Sequence, residues 1–324
     1  MKIVVIGSGT MAHTHTDAYT NMTNVELVGV VDIREDLGRP FAQKYNILYF
    51  SSLDEALEQT EVDVVDVCVP TYLHKNYVIQ AANAKKHVIC EKPLARSIED
   101  ACEMIEHCKS QSVRLFVGHV VRFFPEFENA RQLILDGEIG KVGTVRFFRG
   151  GPFPKATFEN WYADTARSGG VILDLMIHDF DFLQWTFGKA ERVYTKALPD
   201  MDYALTSIRF KNGVIANVEG SWSDVDDFHT EYDIAGSEGL LQHDSRKEKP
   251  LQISLKQENS WNAEGVAVPE SPMFKRPYQL ELENFIHCIE TGETARVTPN
   301  DALEALRLSF ASIESAKTGK AVTL

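Results

Sequence analysis

Short apolar runs alternate with longer mixed segments over the first 120 residues. The runs are rich in Val and Ile and lie at 3–6, 27–31, 62–69, 87–90 and 115–117. Nearly continuous apolar runs of this length are typical of parallel strands buried on both faces. Helix-like segments lie between them, and Ser52 and Ser97, each followed by acids, are predicted N-caps. This alternation predicts an α/β fold with a doubly wound parallel sheet.

The alternation of buried strands and helices ends near residue 122. Strand-like runs with period-two alternation and short turns recur from Arg192 to Leu255, and Asn212-Gly213 predicts a hairpin with a tight primed turn. We therefore expect a Rossmann domain over residues 1–121 and an α+β domain over 122–324, with a large, mostly antiparallel open sheet. Further predictions are a single buried helix from Val171 to Phe187, a loop at 259–275, a helix at 277–291, and a last helix at 301–317 capped by Asn300.

The first 32 residues predict a dinucleotide site. The turn Gly7-Ser8-Gly9-Thr10-Met11-Ala12 follows a strand and opens a helix, and Asp32 ends the next strand. In this pattern the first glycine makes the turn and the second lets the backbone approach a pyrophosphate at the helix N-terminus. A purely structural glycine turn is the alternative. Asp32 would repel the 2′-phosphate of NADP and favours NAD, whereas Arg34 could hold that phosphate, so NADP stays open.

Composition narrows the class of protein. The chain has 324 residues, 44% of them hydrophobic, and a formal net charge of −14, which argues against nucleic acid or an anionic membrane as partner. It shows neither a signal peptide nor a run of apolar residues long enough to cross a membrane. Its five cysteines are an odd number without C-x-x-C spacing, so we expect neither disulfides nor a cysteine zinc site. The prediction is a soluble, cytoplasmic protein.

Three stretches fall at the carboxyl ends of predicted strands, where open α/β sheets bind their ligands. They are 70–74, 91–93 and 119–122. Lys92 follows a strand directly and precedes a proline that stiffens the turn, so it could hold a substrate hydroxyl beside a nicotinamide ring. A solvated lysine at a strand end is the alternative. His74 either contacts the cofactor or bonds only locally.

A second informative stretch runs from Ser168 to Asp181. In one helix, Asp174, His178 and Asp181 would share a face. Ionisable groups in a buried helix need partners or a water-lined cleft. One interpretation is a self-contained Asp–His pair, and another is an imidazole placed to abstract a proton. A metal site is a third, which the dinucleotide motif makes unnecessary, so we predict no metal.

These motifs together resemble the Gfo/Idh/MocA oxidoreductases, a family that includes inositol and other sugar dehydrogenases. The similarity rests on the glycine turn, on Pro70 to His74, on Glu91-Lys92-Pro93, on Gly118 to Phe123 and on Gly169 to Asp181, and it extends to Thr318-Gly319-Lys320. The resemblance implies a Rossmann domain followed by an α/β domain whose open sheet often mediates oligomers. It also implies a catalytic Lys, Asp and His, matching Lys92, Asp174 and His178.

The sequence departs from the family pattern at two places. Many members have Thr-Pro-Asn where this chain has Val69-Pro70-Thr71, so a hydroxyl would replace an amide near the nicotinamide. Many also have a small residue in place of Val171, whose bulk would narrow the cleft.

The resulting hypothesis is an NAD(P)-dependent oxidoreductase acting on a secondary alcohol or carbonyl of a sugar, polyol or related cyclic compound. The predicted cofactor contacts are Gly7, Gly9, Thr10, Met11, Asp32, Arg34, Val69, Pro70, Thr71, His74, Glu91 and Lys92. The predicted substrate contacts are Lys92, Arg122, Trp161, Tyr162, Asp174 and His178. Alternatives are a glycoside hydrolase that uses transient oxidation by NAD, and a non-catalytic redox sensor. We expect a homodimer or homotetramer.

Overall fold

The computed structural model describes residues 1–154, 158–200, 202–225, 227–247, 251–255 and 275–324. Its strands are β1 (Lys2–Ile6), β2 (Glu26–Val31), β3 (Leu48–Phe50), β4 (Val64–Val67), β5 (His87–Glu91), β6 (Leu115–Gly118), β7 (Val142–Gly150), β8 (Ala190–Ala197), β9 (Tyr203–Phe210), β10 (Ile215–Ser221), β11 (His229–Gly236), β12 (Gly239–Asp244), β13 (Leu251–Leu255) and β14 (Val322–Thr323). Its helices are α1 (Thr10–Tyr19), α2 (Glu35–Tyr45), α3 (Leu53–Gln59), α4 (His74–Asn83), α5 (Ile98–Ser110), α6 (Pro125–Leu135), α7 (Thr165–Ser168), α8 (Gly170–Asp174), α9 (Ile177–Phe187), α10 (Pro277–Thr291) and α11 (Pro299–Thr318). Short 3₁₀ turns lie at Thr71–Leu73, Val120–Phe123 and Phe158–Ala163.

The chain forms two compact units. The first contains Met1–Val120 and Lys275–Leu303, and the second contains Val121–Phe274 and Glu304–Leu324. The sequence prediction placed everything after residue 121 in the second domain, whereas the contacts group Lys275–Leu303 with the first unit. Helix α10 in that segment packs against α1, because its apolar face fits the first unit's core.

The first unit is built on a six-stranded parallel sheet in the order β3-β2-β1-β4-β5-β6. Its central strands β1 and β4 carry valine and isoleucine side chains that are fully buried, as the apolar runs predict. Ser52 and Ser97 accept backbone N–H groups at the starts of α3 and α5, as predicted. The strand order reverses between β1 and β4, which is where such sheets bind ligands. The doubly wound prediction is confirmed.

The second unit contains an eight-stranded sheet in the order β13-β12-β11-β7-β10-β9-β8-β14. Among the described strand pairs of this second sheet, only β7–β10 is parallel. Side chains alternate between a face buried under helices and an outward face, so Val193, Ile208 and Val218 enter the core. The predicted mostly antiparallel open sheet is therefore confirmed.

Three local predictions need correction. The hairpin at Asn212-Gly213 is a three-residue loop in which Gly213 (φ +93°), but not Asn212, has a positive φ, so the turn is not a primed one. The last helix begins at Pro299 and is capped by Thr298, whose hydroxyl accepts the Asp301 N–H at 3.2 Å. Asn300 therefore lies inside the helix.

The predicted loop at 259–275 lies outside the described residues apart from Lys275. None of the described helices has both the length and the apolar content needed to cross a membrane.

Candidate active site

The glycine turn of the first unit fits a dinucleotide pyrophosphate. Gly7 has φ +99°, and a Cβ there would lie 3.0 Å from the Cys68 carbonyl oxygen, so only glycine is accommodated. A Cβ on Gly9 would meet nothing within 4 Å, so the backbone faces open space there. Among the described residues no side chain caps α1 and no acid lies in its first turn. The positive end of this helix, with the N–H groups of its first turn that include Thr10 and Met11, is therefore suited to an anion.

Asp32 lies just beyond β2 and is held from several sides. Its Oδ2 accepts the Ser8 hydroxyl at 2.5 Å, and its Oδ1 accepts the Arg34 N–H at 2.9 Å. The Arg34 Nε lies 3.4 Å from the same Oδ1, and the Tyr49 hydroxyl donates to the Asp32 carbonyl. The carboxylate is thus fixed at the carboxyl edge of the sheet, where it can accept hydrogen bonds from ribose hydroxyls.

His74 clamps two loops at this edge. Its Nε2 lies 2.9 Å from the Val69 carbonyl and its Nδ1 lies 3.0 Å from the Pro93 carbonyl. Burial lowers the pKa of this imidazole, and its side chain is almost fully enclosed. Both ring nitrogens face backbone carbonyls, which favours the local-bond alternative, and the cofactor contact of His74 stays a prediction. The ring lies between the loop that contains Pro70 and Thr71 and the turn after β5, and the neutral imidazole donates to one of the two carbonyls.

Lys92 stands at the carboxyl end of β5 and precedes a cis peptide bond to Pro93. Its backbone N–H donates to Glu91 Oε2 at 3.0 Å. The other oxygen of Glu91, Oε1, lies 2.9 Å from Nε2 of the buried His15. The lysine backbone is therefore anchored to a buried carboxylate rather than to a mobile loop.

In the second unit the predicted single helix from Val171 to Phe187 is wrong. Helix α8 ends at Asp174 and α9 begins at Ile177. The Val171 carbonyl accepts the N–H groups of both Leu175 and Met176, so the hydrogen-bond ladder is shifted at this point. Asp174 therefore does not share a continuous helix face with His178.

Two buried ion pairs involve acids that follow His178 on α9. Arg149 Nη2 donates to Asp179 Oδ1 at 2.7 Å, and Arg122 Nη2 donates to Asp181 Oδ1 at 2.6 Å. Burial raises the pKa of Asp179, and the Arg149 charge opposes that rise. These pairs anchor α9 to β7 and to the turn before α6. Sequence reasoning missed Arg149, because nothing in its local pattern indicates a buried partner.

Two predicted substrate contacts of the second unit, Arg122 and Trp161, are buried. Arg122 is 2% exposed and donates to both carboxylate oxygens of Asp181, and its contact with a substrate stays a prediction. Trp161 is buried with its ring 4.1 Å from that of Tyr162. Val171 packs against Gly220 in the core instead of lining an open cleft. Tyr162 and the kinked pair of Asp174 and His178 remain predictions for substrate binding.

Comparison with known proteins places the chain in a family. Residues 1–119 match "Oxidoreductase family, NAD-binding Rossmann fold" and residues 131–324 match "Oxidoreductase family, C-terminal alpha/beta domain". Myo-inositol 2-dehydrogenase of Thermotoga maritima is 30% identical over 337 residues, covering 100% of this chain and 98% of that protein. The scyllo-inositol 2-dehydrogenase (NAD(+)) of Bacillus subtilis is 28% identical over 339 residues, covering 100% of this chain and 96% of that protein.

A solved structure agrees with both units. GenD2 from gentamicin A biosynthesis, in complex with NAD, superposes with a TM-score of 0.88 at 25% identity, covering 100% of this chain and 96% of that one. The first unit is accordingly an NAD-binding Rossmann domain. With both family domains matched along the sequence, the chain belongs to the Gfo/Idh/MocA family of oxidoreductases.

Proposed function

We propose that this oxidoreductase transfers a hydride between NAD and a secondary hydroxyl of a polyol or sugar, of which inositols are the first candidates. The observation that carries the proposal is Lys92, which is anchored through Glu91 at the carboxyl edge of the NAD-binding sheet. The end-to-end similarity to two inositol dehydrogenases supports the substrate class.

Different residues of the chain have different roles in the proposed reaction. When bound, NAD supplies the acceptor for the hydride. In the oxidation direction the His178 imidazole takes the hydroxyl proton. The Lys92 ammonium holds the reacting oxygen and favours the negative charge that develops on it. Asp174 orients these groups or accepts a neighbouring hydroxyl, and Tyr162 offers a further contact.

NAD is the proposed cofactor over NADP. Asp32 lies at the end of β2, where the adenosine ribose would bind, and Arg34 already lies against its carboxylate. A 2′-phosphate there would meet a fixed negative charge. The residues we assign to the cofactor are those of the glycine turn, Asp32, Arg34, the loop Val69–Thr71, Glu91 and Lys92.

The experiment is an NADH absorbance assay of the purified protein against a panel of inositols and aldoses, with mass detection of any glycoside cleavage. We expect NADH formation with at least one polyol. Net cleavage without NADH would instead identify the hydrolase alternative, and NAD binding with no turnover would identify the sensor.

Two substitutions test the assigned roles. Lys92→Ala and His178→Ala are each expected to lower kcat by about 10²–10⁴-fold while the Kd for NAD changes by less than about threefold. Lys109→Ala and His107→Ala are matched controls, because both residues lie in the last turn of α5, at the end of that helix remote from this edge. Near-normal kcat in both test variants would remove the mechanism.

The assembly we propose is a homodimer or homotetramer in the cytoplasm, formed through the outward face of the large sheet. Tyr194, Leu205 and Ile215 are between 39% and 43% exposed on that face. All five cysteines, which lie within the described ranges, are free thiols, as in a reducing compartment. Light scattering of the wild type and of Leu205→Glu measures the assembly, and we expect the variant to dissociate.

A further inference from the structure

A buried charged cluster lies inside the first unit, beneath the Lys92 turn. His15 of α1 is fully buried, and its Nδ1 lies 2.9 Å from Oδ2 of Asp66 in β4. Its Nε2 lies 2.9 Å from Oε1 of Glu91 at the end of β5. The Tyr19 hydroxyl also donates to Asp66 Oδ2 at 2.9 Å.

The two contacts of the ring define its protonation. An ionised carboxylate only accepts hydrogen bonds, so a ring between two carboxylates has to donate from both nitrogens. Burial is the largest single effect and lowers the pKa of His15, but the charge of Asp66 and the hydrogen bonds around the ring together outweigh burial and raise that pKa well above its ordinary value. Burial would likewise raise the pKa of Glu91, and the hydrogen bond from His15 lowers it instead. The ring is therefore an imidazolium.

Other groups that face the ring are consistent with this charge. The Cys68 thiol lies 3.4 Å from Nδ1, and burial raises the pKa of that thiol, so it remains protonated. The ring of Tyr278 lies 6.1 Å away, and the buried Glu281 lies on the same helix, α10. Donor atoms of His15, Asp66 and Cys68 lie within 4.8 Å of one another. A ring that donates from both nitrogens has no lone pair for a metal. These side chains therefore form a hydrogen-bonded cluster.

Glu91 links His15 to the backbone of Lys92 through its two carboxylate oxygens. Its Oε1 faces His15 and its Oε2 accepts the Lys92 N–H at 3.0 Å. A Cβ on Gly118 of β6 would lie 3.2 Å from Oε1, so the carboxylate is packed closely on that side as well. Two donors on two oxygens require a carboxylate, since an amide at this position could accept from only one of them.

We propose that His15 is a positioning residue for Lys92, acting through Glu91 to fix the backbone from which the lysine side chain projects. The catalytic consequence rests on the proposed function, whereas the structural link does not. A displacement of about 1 Å at a reacting group costs on the order of 10²-fold in rate, so loss of this link should reduce turnover without removing the cofactor.

The structural link is tested by NMR on the full chain without cofactor. ¹⁵N shifts of the His15 ring, assigned by their loss in His15→Gln, should show both nitrogens protonated from pH 6 to pH 9. The exchange rate of the Lys92 amide hydrogen should rise at least about tenfold in His15→Gln and in Glu91→Gln. A neutral His15 ring at pH 7.5, or unchanged Lys92 exchange in both variants, would overturn the proposal.

The catalytic consequence is tested on whichever polyol the wild type oxidises. Glu91→Gln preserves volume and is the variant to use if His15→Gln does not fold, as judged by circular dichroism. We expect kcat to fall about 10–100-fold in both variants, and the Kd for NADH to stay within about threefold in His15→Gln, whose residue is not assigned to the cofactor. His87→Asn is the matched control, because His87 lies at the opposite end of β5. A kcat within twofold of wild type in both variants would contradict the positioning role.

The two failures are distinguishable. If no polyol is oxidised by the wild type, the proposed function fails while the ring shifts and the Lys92 exchange rate still test the link. If the wild type is active and the variants are equally active, only the positioning role fails.

Discussion

Asp32 illustrates how single residues set cofactor choice in this protein. Its carboxylate is 6% exposed and accepts bonds from Ser8 and from the Arg34 backbone. Hydrogen bonds to a charged group are stronger than neutral ones, and together they hold the acid in one orientation. The same charge that would attract ribose hydroxyls would repel a phosphate.

Asp32→Asn should therefore broaden cofactor use. We expect the Kd for NADPH to fall at least about tenfold, because the repulsive charge is removed while Arg34 remains, and the Kd for NADH to rise about tenfold, roughly 1.4 kcal/mol. Titration of cofactor fluorescence measures both values. Glu35→Gln is the control, since this exposed acid pairs with Arg39 and should change neither Kd. An unchanged affinity for NADPH in Asp32→Asn would refute this account.

At the scale of elements, helix α9 is joined to the rest of the second unit by two buried ion pairs. Asp179 lies on α9 at 1% exposure of its side chain and pairs with Arg149 of β7. Removing one partner of a buried ion pair leaves an uncompensated charge, which is strongly destabilising. An exposed pair on the same strand, Arg146 with Asp233, provides a comparison.

Arg149→Met should reduce the free energy of unfolding by about 3–5 kcal/mol, whereas Arg146→Met should cost less than about 1 kcal/mol. Urea unfolding followed by tryptophan fluorescence reports this, because all four tryptophans lie between residues 161 and 261. Equal losses in the two variants would contradict the assigned role of burial.

The pH dependence of Arg149→Met follows from the raised pKa of Asp179. Without the arginine, the buried carboxyl takes up a proton more readily in the folded than in the unfolded protein. The difference in free energy of unfolding between the wild type and Arg149→Met should therefore become smaller as the pH falls from 8 to 5. A deficit that grows over this range would contradict the sign.

At the scale of the whole molecule, the first unit is assembled from two distant parts of the chain. Helix α10 buries Leu282, Phe285 and Ile286, and the ring of Phe285 lies 5.1 Å from that of Phe116. Arg114 also donates to the carbonyls of Cys288 and Glu293. Each buried apolar side chain contributes about 1.5–3 kcal/mol, so the segment is a substantial part of this core.

A fragment of residues 1–120 should consequently lack cooperative thermal unfolding. The same fragment joined to 275–303 by a linker of about 20 Gly and Ser residues should recover it, since such a linker spans about 25 Å on average. Circular dichroism of both fragments measures the difference. Equal midpoints would show that α10 is dispensable to the first unit.

The local pattern was sufficient for much of this protein. The glycine turn, Asp32 at the end of β2, the capping serines and the alternation of the second sheet all arise from interactions within a few residues, so the sequence determined them. Lys92 could be placed at a strand end for the same reason.

Contacts between residues that lie far apart in the sequence were decided only by the tertiary structure. The return of 275–303 to the first unit, the pairing of Arg122 with Asp181, the clamp by His74 and the cluster around His15 join residues far apart in the chain. Asp66 gave a signal, because an acid in a buried valine strand needs a partner. The identity of that partner could not be read from the sequence, because an ion pair between distant segments leaves no periodic pattern. The two charges meet only when folding removes both of them from water.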